Sequence, residues 1–236
     1  MRTEKEESGM EHCPVCEKSV ERTETPMDCA LCGKRASPGR VCAEGHFVCD
    51  DCARLRDTLL AHATREGADR RNPVAILAGL MDEPDIPMHD PVHHILAPAA
   101  LLAAYHRSGG AVNLSRGMTE VVRRGRRVPG GTCGFWGACG AAIGAGIFMS
   151  VITGTSPYSD STWGLCNLAT ARCLEVMGAL GGPRCCKRTS FLTVHTTALF
   201  VEEHLGVTMS LPEAIRCTHS SRNGECIKER CPFFGD

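Results

Sequence analysis

The chain has 236 residues, a formal net charge of -1 and a hydrophobic share of 43%. That length suits one or two domains, and aromatics at 5% make any core aliphatic. The near-neutral balance excludes wholesale nucleic-acid binding, which needs a basic face, and leaves sixteen cysteines as the feature to explain.

The opening "MRTEKEESGM" is polar and acidic and lacks the apolar run of a secretory signal. A cytoplasmic location is therefore expected, where thiols stay reduced. Many reduced thiols in one chain point to metal ligands or redox chemistry rather than to a disulfide framework.

Four regular pairs come first: Cys13 with Cys16, Cys29 with Cys32, Cys42 with His46, and Cys49 with Cys52. A C-x2-C turn aims two thiolates at one ion, and zinc takes four such ligands tetrahedrally. Eight ligands make two closed, structural zinc sites. Only two residues separate His46 from Cys49, which crowds the last two pairs together. A cross-brace is favoured, with Cys13, Cys16, Cys42 and His46 on one ion and Cys29, Cys32, Cys49 and Cys52 on the other. A sequential zinc ribbon is the alternative. Small residues in "CGK" and "EGH" permit the tight turns.

Two linker helices follow. "DDCARLRDTLLAHATREG" ends near Gly67, and "NPVAILAGLMDEP" has Asn72 as cap, Pro73 in its first turn and Pro84 as its stop. In "IPMHDPVHHILAPAALLAAYHRSGG", Asp90 is a cap and Pro91 a first helical residue. His89 then lies just outside a helix, and His93 and His94 lie in its first turns. A helix N-terminus disfavours imidazolium, so these rings stay neutral, able to bind metal or exchange protons. Packing histidines on a capped helix are the competing reading. Pro98 falls inside the apolar run, where a kink is expected.

The uncharged stretch 132–153 has the length of a membrane span. Its Gly, Ala, Ser and Thr content suits close packing inside a helical bundle instead. Cys133 and Cys139 sit among glycines that let backbone approach a bulky inorganic group. "STWGLCNLATARCLEVMGALGG" is the next helix, capped by Ser161 and stopped by glycines, with Cys166 and Cys173 as buried packing thiols. In "GPRCCKRTS", Arg184, Lys187 and Arg188 surround Cys185 and Cys186 and favour thiolate. The two adjacent side chains are expected to point apart, so that only one meets a metal. The helix "SFLTVHTTALFVEEHLG" follows, with His195 read as a packing residue. The tail holds Cys217, Cys226 and Cys231 as C-x8-C-x4-C-P. Cysteine followed by proline recurs at iron–sulfur ligands. Three thiolates leave a cluster one ligand short, and an upstream cysteine, His219 or a substrate can complete it; a small zinc knuckle is the other reading.

"GGTCGFWGACGAAIGAGIF", "GGPRCCKR", "NGECIKERCPFF", "PMHDPVHH" and "CALCGK…GHFVCDDC" together resemble domain-of-unknown-function family 5714. That resemblance covers nearly the whole chain and implies an anaerobic, thiol- or cluster-based role without supplying a reaction. The middle section more distantly resembles the redox-active C-GCAxxG-C-C proteins.

The fold expected is mainly α: a two-zinc cross-brace or zinc-ribbon-like module (1–54), linker helices (55–88) and a cysteine-rich helical bundle (89–236). The expected function is an iron–sulfur protein of anaerobic redox or sulfur metabolism. Cys133, Cys139, Cys185 or Cys186, and Cys217, Cys226 and Cys231 would hold the cluster. Arg184, Lys187 and Arg188 would offset its charge. The reactive set would be Cys133, Cys139, Cys185 and Cys186 with His89, His93 and His94. Whether this makes an enzyme is open. A cluster-free thiol redox or sulfur-carrier protein and a zinc-dependent adaptor are the alternatives. The implied partner is a redox or sulfur-transfer protein, such as the methyltransferases to which family members are fused; a homodimer is open, and neither nucleic acid nor membrane is expected.

Overall fold

The computed structural model describes residues 10–65, 67 and 70–235. An N-terminal module of short strands precedes a helical body, as the cysteine spacing and the helical periodicity predict. Strands β1 (Val20–Thr23), β4 (Gly39–Cys42) and β5 (Phe47–Cys49) form an antiparallel sheet in the order β1-β4-β5. Between them, β2 (Met27–Asp28) and β3 (Arg35–Ala36) make a small hairpin.

The register explains how the four pairs interleave. The β4–β5 hairpin puts Cys42 and His46 at its turn, while Cys49 lies at the other end, opposite Gly39. Val20, just after the first knuckle, pairs with Cys42. The second knuckle joins β5 through a bridge between Cys29 and Phe47. One hairpin therefore serves two sites. Gly45 supplies the left-handed turn residue, with φ of +79°.

Helix α1 (Asp50–Thr64) grows directly from β5 and carries Cys52, so it runs through the expected boundary at residue 54. Arg56 on this helix is buried against α4 (Leu114–Gly125), donating from Nε to Thr119 Oγ1 (2.9 Å) and from Nη2 to Ser115 Oγ (2.7 Å). The module is thus keyed to the helical body by a buried cation whose hydrogen bonds are met. Helix α2 (Pro73–Met81) begins as expected: Asn72 Oδ1 accepts from the amides of Val74 and Ala75.

Helix α3 (His93–Arg107) is the axis of the body, buried from His93 to Tyr105 and flanked by α2, α4, α6 and α8. A helix apolar on every side belongs at the centre. Asp90 caps the turn before it, accepting from Val92 N–H at 2.7 Å, so the regular helix starts two residues after Pro91. The stretch 132–153 divides into a single turn, α5 (Thr132–Phe135), and α6 (Gly140–Ile152). Helix α6 packs tightly on α3: a Cβ at Gly140 would sit 2.3 Å from the His94 ring. Helices α7 (Ser161–Leu180) and α8 (Cys186–Leu205) complete the bundle. Cys166 and Cys173 are two of only three fully buried residues on α7, in line with a packing role. Among the described residues, no helix is long and apolar enough to cross a membrane.

Candidate metal centres

Two groups of ligand atoms in the N-terminal module draw together within 4.8 Å: Cys13, Cys16, Cys42 and His46, and Cys29, Cys32, Cys49 and Cys52. In the first, Cys16 Sγ lies 3.6 Å from Cys42 Sγ, and His46 Nδ1 lies 3.8 Å from Cys13 Sγ and 3.5 Å from Cys42 Sγ. In the second, Cys32 and Cys49 place their sulfurs 4.0 Å apart. A tetrahedral ion with metal–sulfur bonds of about 2.3 Å has edges near 3.8 Å. These are the edges of two tetrahedra, interleaved as the cross-brace requires.

Without an ion, the second group must share protons. Hydrogen bonds from Cys49 and Cys52 pull the Cys29 thiol far below the usual thiol range. The same bond to Cys29 pushes Cys49 up, to about 11. A metal ion replaces these protons and binds all four as thiolates. Either group can therefore hold a metal ion.

A third gathering of sulfur lies between the start of α8 and the tail. Cys185, Cys217, Cys226 and Cys231 line one narrow pocket, together with Lys187, Arg188, His219, Asn223 and Phe233. Cys185 is the residue before α8, and the other three come from the irregular tail. The structure thus supplies the fourth thiol from the Cys185–Cys186 pair. Cys185 Sγ accepts from the amide of Arg188 and from Asn223 Nδ2, both at 3.4 Å. Cys217 Sγ accepts from the amide of His219, and Cys226 Sγ from that of Lys228, again at 3.4 Å. Lys228 reaches this position with φ of +49°. An amide two residues on, turned back to the sulfur, is a metal-knuckle geometry, and at Cys217 it opposes the burial that holds the thiol above its ordinary range. Among the described residues, no three of these ligand atoms fall within 4.8 Å of one another. The four sulfurs are spread wider than in the two N-terminal groups.

Two cations back this pocket. Lys187 is 1% exposed and donates only to the Met81 carbonyl, at 3.2 Å. Arg188 is buried and donates to the carbonyls of Gly181 and Pro183. Neither has a carboxylate at ion-pair distance among the described residues. Burial holds Lys187 below the ordinary lysine range. Arg184 is exposed. A buried ammonium facing thiols is the expected partner of an anionic group.

The remaining sequence candidates go elsewhere. Cys133 is exposed on α5, and Cys139 is the half-buried residue before α6; neither lines the four-cysteine pocket. The glycine-rich loop serves helix packing there, since Gly140 admits the His94 ring. Cys186 is half-buried and does not line the four-cysteine pocket, and burial pushes its thiol up to about 11. The basic neighbours that favoured a thiolate are outweighed at this position by burial. His93 and His94 are buried and held below the ordinary imidazole range by desolvation, His93 to about 3. Their Nδ1 atoms donate to the carbonyls of Asp90 (2.9 Å) and Val128 (3.3 Å), and His93 Nε2 is buried without a partner among the described residues. His89 Nε2 lies 2.8 Å from Glu225 Oε2 and 3.1 Å from Asn223 Oδ1, so Asn223 joins His89 to the Cys185 sulfur. Asn223 was not among the sequence candidates. Its place in "NGEC", two residues before Glu225 and three before Cys226, was the only signal.

Residues 62–234 match the model of a family described as "Family of unknown function (DUF5714)". The matched region contains the four-cysteine pocket and leaves out the two N-terminal groups. No curated protein and no solved structure matches the chain.

Proposed function

The chain belongs to the DUF5714 family, whose function is unknown, and from its sulfur geometry we propose that it is an iron–sulfur protein of redox or sulfur metabolism, with zinc in its N-terminal module. The observation that carries this reading is the pocket in which Cys185, Cys217, Cys226 and Cys231 converge without closing on one ion. A cubane cluster takes one thiolate at each iron and spreads its ligands more widely than a single tetrahedral metal does. Hydrogen bonds to the ligand sulfurs and buried cations are the levers by which a protein holds such a cluster and sets its potential. Here Arg188, His219, Lys228 and Asn223 provide the hydrogen bonds. Lys187 provides a buried charge for which the described residues offer no carboxylate. The proline after Cys231 agrees with the pattern.

The two N-terminal groups are closed on protein ligands, as structural zinc sites are. Cys133, exposed, and Cys139, half-buried, lie outside the four-cysteine pocket and are the candidates for sulfur or electron exchange with a partner. A cluster-free thiol function is less well supported, because burial keeps Cys186 protonated at neutral pH. The cytoplasm of an anaerobe is the setting in which such a cluster and its free thiols survive.

Protein prepared without oxygen and analysed for iron, acid-labile sulfide and zinc tests the proposal. It predicts brown protein with two zinc ions, iron and sulfide in equal amounts, and a paramagnetic signal on one-electron reduction. Colourless protein with a third zinc at the tail cysteines would overturn it in favour of the knuckle reading.

A further inference from the structure

Beside the four-cysteine pocket lies a cleft of about 810 Å³, open to solvent. It runs between α7 and α8 and is closed at one end by the tail. This volume falls within the range of small-molecule sites. The floor is apolar and partly aromatic: Leu192, Phe200 and Phe233 are buried there. The walls include Leu199 and Val176, which are 48% and 39% exposed. Large aliphatic side chains left open on a helix bundle mark a surface with a use when they share a concave site.

The tail end of the cleft is built from the neighbours of two cluster ligands. Arg216 precedes Cys217, Pro232 follows Cys231, and Phe233 lines both the cleft and the sulfur pocket. The Cys217 amide donates to the Phe233 carbonyl at 2.8 Å, which ties the two segments. Phe233 is also fixed by an edge contact with Phe191, centroids 5.6 Å apart. The lining carries two arginines, Arg172 and Arg216, and two glutamates, Glu203 and Glu213. Arg172 faces Glu203 at 3.8 Å. Arg216 lines the cleft exposed, and among the described residues no carboxylate lies within ion-pair distance of it.

We propose that this cleft binds a small aromatic anion, with its ring system on Leu192, Leu199, Phe200 and Phe233 and its acidic group on Arg216. The apolar floor accepts the rings, and a guanidinium is the group best shaped for a carboxylate, sulfonate or phosphate. A molecule so placed lies one side chain, Phe233, from the sulfur pocket. The binding stands on the cleft alone; only the expected effect on the cluster rests on the iron–sulfur reading.

The probe is 8-anilinonaphthalene-1-sulfonate, an aromatic anion whose fluorescence rises in apolar sites. Titration of folded, zinc-loaded protein is expected to give one saturable site. Arg216→Ala is expected to weaken it about tenfold or more, and Leu199→Glu, at an exposed position that tolerates the change, to abolish it. Tyr158→Ser, at a fully exposed residue outside the cleft, should leave it unchanged. Failure to bind, or binding indifferent to both cleft variants in protein of unchanged circular dichroism, would overturn the inference. In iron-loaded protein the bound probe should also shift the resonance of the reduced cluster. A colourless preparation that still binds the probe through Arg216 would sink the iron–sulfur reading and leave the cleft standing. A cluster that forms in protein with no probe site would do the reverse.

Discussion

Cys185 and Cys186 are consecutive, yet their thiols face different chemistry. Cys185 receives Asn223 Nδ2 and the Arg188 amide and joins the three tail cysteines. Cys186, half-buried, lies outside that pocket, and burial pushes its thiol up to about 11. The start of α8 separates them, because the residue before a helix has extended backbone and the first helical residue does not. The adjacent pair therefore places one thiol in the four-cysteine pocket and one outside it.

Serine substitution should separate these roles. Cys185→Ser is expected to remove most of the iron and sulfide from anaerobically reconstituted protein. Cys186→Ser should keep the metal content and the reduced-state resonance while losing one half-buried thiol in an alkylation assay. Equal iron loss in both variants would mean that the pair acts as a unit, against the geometry.

The interleaved N-terminal groups predict coupled loss of zinc. In a cross-brace each ion ties one end of the β4–β5 hairpin to a different knuckle. Cys32→Ser is expected to release one ion and to weaken the hold on the other, since β5 and β4 share their register. His46→Cys should keep two ions, because a thiolate replaces the imidazole at a tetrahedral site. Structural zinc contributes on the order of 10 kcal/mol to the folding of such modules, so chelation should melt the module. The helical body has its own buried axis in α3 and should keep its helical circular dichroism. Both metal stoichiometry and the far-ultraviolet spectrum are read in one titration. Zinc retention should fail on acidification, as protons reclaim the thiolates.

The module was legible from the sequence because the constraint is local. Each knuckle is a short spacing, and crowding between His46 and Cys49 disfavours sequential pairing. Helices announced themselves through Asn72, Pro73 and the apolar run of α3. The sulfur pocket was legible only in part. Cys217, Cys226 and Cys231 lie within one tail, but choosing the fourth thiol among Cys133, Cys139, Cys185 and Cys186 depends on how α6 and α8 meet α3. Local spacing carries no information on that packing. Glycines around Cys133 and Cys139 were ambiguous for the same reason: close approach of a His ring and close approach of an inorganic cluster ask for the same small residue. Asn223, polar and in a loop, had no pattern to mark it.

The contact between Gly140 and His94 gives a packing test. A Cβ at Gly140 would come within 2.3 Å of the imidazole ring, itself pinned by Nδ1 donation to Val128. Gly140→Ala must push α6 from α3 or rotate the ring off its carbonyl. Overpacking of this kind costs about 1–3 kcal/mol, to be measured by urea unfolding. The double variant Gly140→Ala with His94→Ala should recover part of that loss, since the obstructing ring is gone. No recovery would place the cost in the α6 backbone instead.

His93 gives the body a definite pH response. It is 1% exposed, and burial lowers its pKa from the ordinary 6.5 to about 3. Nearby Lys187, His94 and His89 act in the same direction. The folded state therefore stays unprotonated at this ring while the unfolded chain takes up a proton below pH 6.5. Between pH 6.5 and about 3 the unfolded state binds more protons, so stability falls as pH falls across that window. From pH 7 to pH 5 this ring alone should withdraw about 2 kcal/mol. Asn at this position keeps a donor for the Asp90 carbonyl and cannot titrate. His93→Asn is thus expected to lose some stability at pH 7 from imperfect filling, and to lose about 2 kcal/mol less than the parent on going to pH 5. Comparing two proteins at two pH values cancels the acid sensitivity of the zinc module, which both share. Parallel losses in parent and variant would show that the ring takes up its proton in the folded state, and that the pocket around His93 Nε2 is wet.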